Sequence, residues 1–282
     1  MQAVDLHAHS RISDGLLTPR ELVRHACAQG VRVLALTDHD DVAGIAEARE
    51  EAALWGIHLV SGVEISVTWR GRTVHIVGLR IDEADPTLNA GLAQLRASRL
   101  ARARRIAEEL DRIGIHGSLE AAAAVSGQVI SRSHFARFLV ERGYAADVRS
   151  VFRHYLVRGK PGYVEHTWAS LEDAVGWIHG AGGLAVIAHP GRYDFTPVEV
   201  HELFTEFRDL GGEGIEVVSG SQRPAEQERF ARLVREFGFF ASRGSDYHGP
   251  GHNEVDMGRL PALPKGLPPI WQDWPEVLPA AA

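Results

Sequence analysis

The chain of 282 residues is 45% hydrophobic and 24% charged, the balance of an ordinary soluble globular protein with room for one barrel-sized domain and an insertion. Its single cysteine, Cys27, excludes a disulfide framework and points to a reducing, cytoplasmic setting; residues 1–10 lack a secretory signal, and no run reaches the roughly 20 apolar residues of a membrane span. A formal net charge of −7 argues against coating long nucleic acid, so an anionic substrate has to be met by metals and a few local arginines.

Strands and helices alternate along the chain. Residues 3–6 form a short strand. Thr18 caps the helix that follows, Pro19 fits its first turn, Glu21 completes a capping box and Gly30 ends it. Residues 31–36 read as a buried strand, 43–54 as a helix closed by Gly56, and 57–60 as a strand. Segments 63–68 and 73–79 read as a hairpin turning at Arg70-Gly71-Arg72. Beyond residue 160, helices at 170–181, 199–210 and 224–237 alternate with strands at 184–188, 214–218 and 239–242. This rhythm predicts a largely parallel sheet of about seven strands, an α/β barrel rather than an open sheet.

Residues 91–160 break the rhythm. A long helical run over 91–113 is followed by shorter helices at 119–125, 134–142 and 146–157, which predicts a helical insertion lying over the barrel mouth. The barrel is then expected to be built from residues 1–90 and 161–282. The tail over 260–279 carries 6 prolines and no periodicity, so it is expected to run as an extended surface strap.

Chemistry-bearing residues cluster where strands end: Asp5-Leu6-His7-Ala8-His9-Ser10, Thr37-Asp38-His39-Asp40, Gly62-Val63-Glu64-Ile65, Thr73-Val74-His75-Ile76, Ile187-Ala188-His189-Pro190-Gly191 and Ser245-Asp246-Tyr247-His248. Ligands gathered at one end of many strands are how an α/β barrel builds its site. His7 and His9 are two apart, so on a strand both imidazoles share a face, and Asp246 with His248 repeats that spacing. Any single histidine is more often a core or surface residue than a ligand, but six clusters in matching positions outweigh that. His25, His58, His116, His154, His166, His179, His201 and His252 stand in helices or polar loops, outside such strand-end clusters and without their acidic company. Imidazoles and carboxylates without thiolate suit manganese, zinc or iron. Asp38 and Asp40 flank His39 and are candidates to orient imidazoles. Neither Gly-Gly pair, at 182–183 or 211–212, is followed by the Gly-Lys-Ser/Thr of a phosphate loop, and no paired Ser or Cys nucleophile is evident.

An independent signal lies in the long helix. Leu92, Leu95, Ile106, Leu110 and Ile113 form an apolar stripe in which Arg99 and Arg102 occupy the intervening positions. Such arginines either snorkel past their neighbours or offer guanidinium groups to phosphate. Arg132 and His134, on the turn before the next helix, would complete a clamp, whereas Arg104 and Arg105 read as a solvated face.

The clusters at 5–10, 37–40, Glu64/His75, 188–192 and 245–249 resemble the signature of the polymerase and histidinol phosphatase (PHP) family of metal-dependent phosphoesterases, in motif order from residue 3 to about 250. The resemblance implies a distorted (β/α)7 barrel with two or three divalent metals. It implies that His7, His9, Glu64 and Asp246 hold the first metal, that Glu64, His75 and His189 hold the second, and that Asp14, His39 and His248 hold the third. Manganese is the expected ion, with zinc and iron as alternatives. Within the family, Ser131-Arg132-Ser133-His134-Phe135-Ala136-Arg137 and Tyr155-Leu156-Val157-Arg158-Gly159-Lys160-Pro161-Gly162-Tyr163-Val164 resemble the branch acting on nucleotide and short RNA phosphates, with Ser131 and Ser133 where relatives often have Gly and Pro.

That resemblance implies hydrolysis of the 3′-phosphate of a 3′,5′-bisphosphonucleotide. Stepwise 5′-to-3′ removal of nucleotides from short RNA, a histidinol-phosphate-type phosphatase and a non-catalytic scaffold are the alternatives. Arg99, Arg102, Arg132 and His134 are expected to bind substrate, Arg99 to stabilise the transferring group, and His134 to serve as general acid or as a phosphate hydrogen-bond donor. The expected partners are thus a small nucleotide bisphosphate and short RNA, with no membrane and no long DNA.

Overall fold

The computed structural model describes residues 3–251, 255–275 and 277. Seven strands lie in chain order: β1 (Ala3–Asp5), β2 (Val31–Leu36), β3 (His58–Trp69), β4 (Arg72–Leu79), β5 (Leu184–Ile187), β6 (Gly214–Ser219) and β7 (Phe240–Gly244). Pairing is parallel except that β4 runs antiparallel to both β3 and β5. The sheet comes round on itself where the Leu6 amide donates to the Arg243 carbonyl at 3.0 Å, Asp246 to His7 at 2.8 Å and His9 to Tyr247 at 2.9 Å. The expected distorted (β/α)7 barrel is the observed fold, and the reversed β4 is its distortion.

Helices α1 (Pro19–Ala28), α2 (Ile45–Trp55), α7 (Leu171–Gly180), α8 (Pro197–Asp209) and α9 (Pro224–Phe237) stand between strands, while α3 (Pro86–Asp111), α4 (Ser118–Val125), α5 (Arg132–Glu141) and α6 (Val148–Val151) interrupt the alternation, α6 running into a π-helical turn at Phe152–Leu156. The reciprocal Thr18–Glu21 capping box opens α1 as its sequence predicts. Among the described residues, no helix is long and apolar enough to cross a membrane.

Three local readings change. The strands expected at 57–60 and 63–68 are one strand, β3. Gly62 sits within it because a Cβ there would come within 2.8 Å of the Thr37 side chain and 2.9 Å of the Gly78 carbonyl, so the glycine marks close packing, not a break. The long helix starts at Pro86, capped by Asp85, because Gly91 again marks close packing, where a Cβ would come within 2.6 Å of the Trp177 ring, and not a boundary. That helix ends at Asp111, leaving Ile113 exposed and off its buried stripe.

Helix α3 spans two cores. Leu88, Leu92 and Leu95 belong to the cluster between sheet and outer helices, whereas Ala103, Ile106 and Leu110 pack with Phe135, Leu139, Val151 and Leu156 of the insertion. Arg99 lies between the two. The tail is more than a surface strap: Ala241 and Ile270 exchange backbone hydrogen bonds with it and with β7, and Ile270 and Trp274 join Val4, Val33, Val60, Val77 and Val186 inside the barrel. A segment that lacks periodicity therefore still contributes to the core. His252, Leu278 and Pro279 lie outside the described residues.

Candidate metal centre

The strand ends continue into the site through their backbone. Thr37 donates to the Ala8 carbonyl at 2.9 Å, Glu64 to Asp38 at 3.1 Å and Asp40 to Glu64 at 2.9 Å, which fixes the segments bearing His7, His9, His39 and Glu64 side by side. His75 reaches the same rim from early in β4 because that strand runs backwards. Opposite it in register is Ser66, two residues from Glu64, so all three side chains share one face. Asp40, His189 and Asp246 adopt positive φ of 50°, 28° and 53° without being glycine. Such conformations cost stability and persist where the surroundings impose them; here all three lie at the site.

Three groups of ligand atoms result, each with its atoms within 4.8 Å of one another: His7, His9, Glu64 and Asp246; His9, Asp14, His39 and His248; and His39, Glu64 and His75. The first matches the set implied by the resemblance. The second adds His9 to Asp14, His39 and His248. In the third, His39 stands where His189 was expected, although His189 Nε2 also lies 2.9 Å from Glu64 Oε1.

These contacts fit bound cations. In the first group, His9 Nε2 is 3.1 Å from His7 Nε2, 3.0 Å from Asp246 Oδ1 and 3.2 Å from Glu64 Oε2. Ligands each about 2.1 Å from a shared ion come within roughly 3 Å of one another. His39 Nδ1 and His75 Nδ1 each lie 2.8 Å from a Glu64 oxygen, yet both nitrogens are buried without hydrogen-bond geometry. Lone pairs converging on a common point arrange themselves in this way. Charge agrees: burial pushes His9 down, but hydrogen bonds and charge from Asp246 and Glu64 outweigh it and raise its pKa to about 10. Burial alone would raise Asp14, Glu64 and Asp246; the surrounding imidazoles, and for Asp246 Arg192 first, hold them well below the usual carboxylate range. The site attracts positive charge.

A second layer orients the ligands. Glu216, fully inside the barrel, accepts from His7 Nδ1 at 2.7 Å and from the His189 amide at 2.6 Å. That contact directs His7 Nε2 toward the cluster. Glu216 escaped sequence reasoning, although a lone acid within the apolar strand Gly214–Ser219 is its signal. Asp38 accepts from the Ser10 and Ser13 hydroxyls at 2.6 Å each, and Ser13 lies 3.5 Å from His9 Nδ1. Asp40 instead accepts from Arg99 Nε at 2.6 Å. Asp38 thus serves an imidazole and Asp40 an arginine.

The cluster forms the floor of a cavity of about 310 Å³. Arg99, Arg102, Arg132 and Trp168 line one side. Arg99, 6% exposed, also donates to Ser66 Oγ at 2.7 Å and lies over the Trp168 ring, with Arg102 beside it. Arg102 Nε is buried without a partner, and burial together with the charges of Arg132 and Arg99 brings its pKa down to about 9. Three crowded guanidinium groups create demand for an anion. Arg192, also lining the cavity, pairs with Asp246, a partner far away in sequence that no local pattern reveals. Arg104 and Arg105 are exposed, as their positions predict.

His134 is not brought to this cavity. It is 1% exposed, and its Nδ1 accepts from the Ser131 amide at 3.0 Å as the third helical residue of the α5 capping box. Burial pushes its pKa down to about 4, so it is neutral near pH 7. The general-acid and phosphate-donor readings therefore lack a geometric basis, while Ser131 Oγ reaches Asp14 at 2.8 Å. Of the histidines set aside, His25, His116, His179 and His201 pair with Asp256, Asp111, Glu213 and Glu236. His166 stacks edge-on against Trp168.

Charge is divided between the two parts of the chain. Residues 91–160 hold 13 arginines and lysines against 6 acids, a net of +7, and the remainder holds −14 of the total −7.

The PHP domain profile matches residues 5–179. A 3′,5′-nucleoside bisphosphate phosphatase of Chromobacterium violaceum is 51% identical over 97% of this chain and 96% of its own length. A 5′-3′ exoribonuclease, Rnm, of Salmonella typhimurium is 46% identical over 96% of this chain and 93% of its own. Among solved structures, a Chromobacterium violaceum chain described as an amidohydrolase with bound sulfate and no metal superposes with a TM-score of 0.93 at 51% identity, covering 96% of this chain and 95% of that one. With a profile match across more than half its length, a relative 51% identical along nearly all of both chains and a matching fold, the chain belongs to the PHP domain family.

Proposed function

We propose that this chain is a metal-dependent phosphoesterase that hydrolyses the 3′-phosphate of 3′,5′-bisphosphonucleotides, releasing nucleoside 5′-monophosphates. The observation that supports it most is the juxtaposition of the imidazole–carboxylate floor with the Arg99–Arg102–Arg132 wall in one cavity. The first element suits a scissile phosphate and the second a further phosphate a ribose away. The 51% identity to a 3′,5′-nucleoside bisphosphate phosphatase supports the same reading.

His7, His9, Glu64 and Asp246 would hold one divalent metal; Glu64, His75 and His189 a second, with His39 near enough to share; and Asp14, His39 and His248 a third. Manganese is the ion we favour for activity, ahead of zinc and iron. Bound cations supply charge neutralisation of the phosphate and a water acidified toward neutrality. Glu216 keeps His7 in the ligating tautomer, and Arg99, held by Asp40 and Ser66, meets charge developing on the transferring phosphate. Arg102 and Arg132 grip the second phosphate. Residues 91–160 act as a cap that narrows the barrel mouth, and the lone Cys27 suits a cytoplasmic setting.

Comparing catalytic efficiency on a 3′,5′-bisphosphonucleotide and on the matching 3′-monophosphate tests this reading. An advantage of well over tenfold is expected, because one Arg–phosphate pair contributes about 1.5–3 kcal/mol. Equal rates would reject the substrate assignment.

A second reading, 5′-to-3′ exonuclease action on short RNA, is favoured by the net positive charge of the insertion and by the exposed Arg153, Arg158 and Lys160. It uses the same phosphate geometry, and one site can serve both reactions.

A further inference from the structure

The cavity has a polar floor and an arginine wall, but one stretch of its lining is apolar. Val148 and Phe152 sit there, four residues apart, on the α6 turn and the π-helical turn that continues it. Residues four apart on a helical turn share a face, so both side chains turn toward the cavity together. Both also pack against the insertion core built from Phe135, Leu139, Val151 and Leu156. Phe152 is only partly buried, and the Arg132 guanidinium lies over its ring, 5.3 Å from the centroid. Trp168, the other aromatic in the lining, already has Arg99 at 4.7 Å and Arg102 at 5.2 Å over its ring.

The lining is ordered. Arg99 touches Asp40 and Ser66 at the floor, Arg102 feels the charge of both Arg99 and Arg132, and Arg132 lies against Phe152. Along this succession of contacts the lining runs from candidate metal ligands to guanidinium groups to an apolar ring. A nucleotide presents phosphate, ribose and base in the same sequence. A partly exposed phenylalanine beside an arginine wall offers the cavity an apolar face, and every base has a π-face that stacks on such a ring.

We propose that Phe152, supported by Val148, is the shelf on which the substrate nucleobase stacks, making the base a required but unread part of recognition. This rests on the nucleotide reading above. Apolar side chains cannot read a base edge, so purines and pyrimidines are both accepted, while a phosphorylated sugar without a base is not.

Calorimetric titration of the manganese-loaded protein with adenosine 5′-monophosphate and with ribose 5-phosphate tests the shelf without needing turnover. The wild-type protein is expected to prefer the nucleotide by about tenfold or more, the range of one aromatic–base stack. Phe152→Ala should shrink that preference to less than about threefold and leave ribose 5-phosphate affinity unchanged, whereas Phe152→Trp should retain it. The tryptophan variant guards against a folding defect, since it keeps the ring. Equal weakening of both ligands in Phe152→Ala, an undiminished preference, or no wild-type preference would each overturn the shelf. Failure of the phosphatase reading looks different: no phosphate release from a bisphosphonucleotide, whatever the binding preference.

Discussion

Arg99 donates its Nε–H to Asp40 at 2.6 Å, joining the middle of a helix that spans both hydrophobic cores to the residue after His39. Both groups are buried, and Asp40 has a positive φ of 50°. The pair holds a guanidinium beside the candidate ligand cluster and ties helix α3 to the strand-end segment that bears His39.

Arg99→Ala should therefore lower kcat/KM by roughly one to two powers of ten, as for loss of one charge-assisted contact of about 1.5–3 kcal/mol, with metal content intact. Asp246→Asn or His9→Ala should abolish turnover through metal loss. Elemental analysis of all three variants decides: equal metal loss in each would contradict this division of roles.

Glu216→Gln should weaken metal binding without removing a ligand. The amide no longer favours the His7 tautomer that points Nε2 at the cluster, and partners of this kind typically contribute 10–100-fold, so an affinity drop of about that size is expected. An unchanged affinity in competition with a chelating dye would show that His7 is oriented by packing alone.

Protein purified without chelators should hold at least two divalent ions per chain, because the three ligand groups offer more donors than one ion can take. Less than one ion per chain would count against the centre as described.

His134 gives a pH signature in stability. Its folded pKa of about 4 lies below the ordinary 6.5, so the unfolded chain binds this proton more readily. Stability is complete above pH 6.5 and is lost as pH falls from about 6.5 to about 4, by up to about 3 kcal/mol from this residue. His134→Gln keeps an acceptor at the capping position and cannot take up a proton, so its denaturant midpoint should decline less over that window. Parallel pH profiles for the two proteins would remove His134 from the account.

The barrel and the candidate ligand clusters were legible because their signals are local. Apolar β-branched runs mark the strands, and the paired spacing of His7/His9 and Asp246/His248 marks a shared face. What failed were residues whose meaning depends on a distant neighbour. Gly62 and Gly91 read as boundaries, since nothing near them in sequence reveals Thr37 or Trp177. Glu216 and Arg192 do their work through His7 and Asp246 across the barrel. His134 differs: its place outside the barrel clusters yet near the expected mouth suggested a chemical role, whereas Ser131 three residues before it forms the local capping pattern seen in the structure. The strap was read from its prolines, although Ile270 and Trp274 carry the apolar signal that takes it into the barrel.

The central claim is which phosphate ester this site breaks. Phosphorus NMR of adenosine 3′,5′-bisphosphate incubated with the manganese-loaded protein reads that directly. The account predicts inorganic phosphate and adenosine 5′-monophosphate as the products, with the 5′-phosphate signal persisting. Accumulation of adenosine 3′-monophosphate, or an unchanged spectrum from protein with its metals bound, would contradict it.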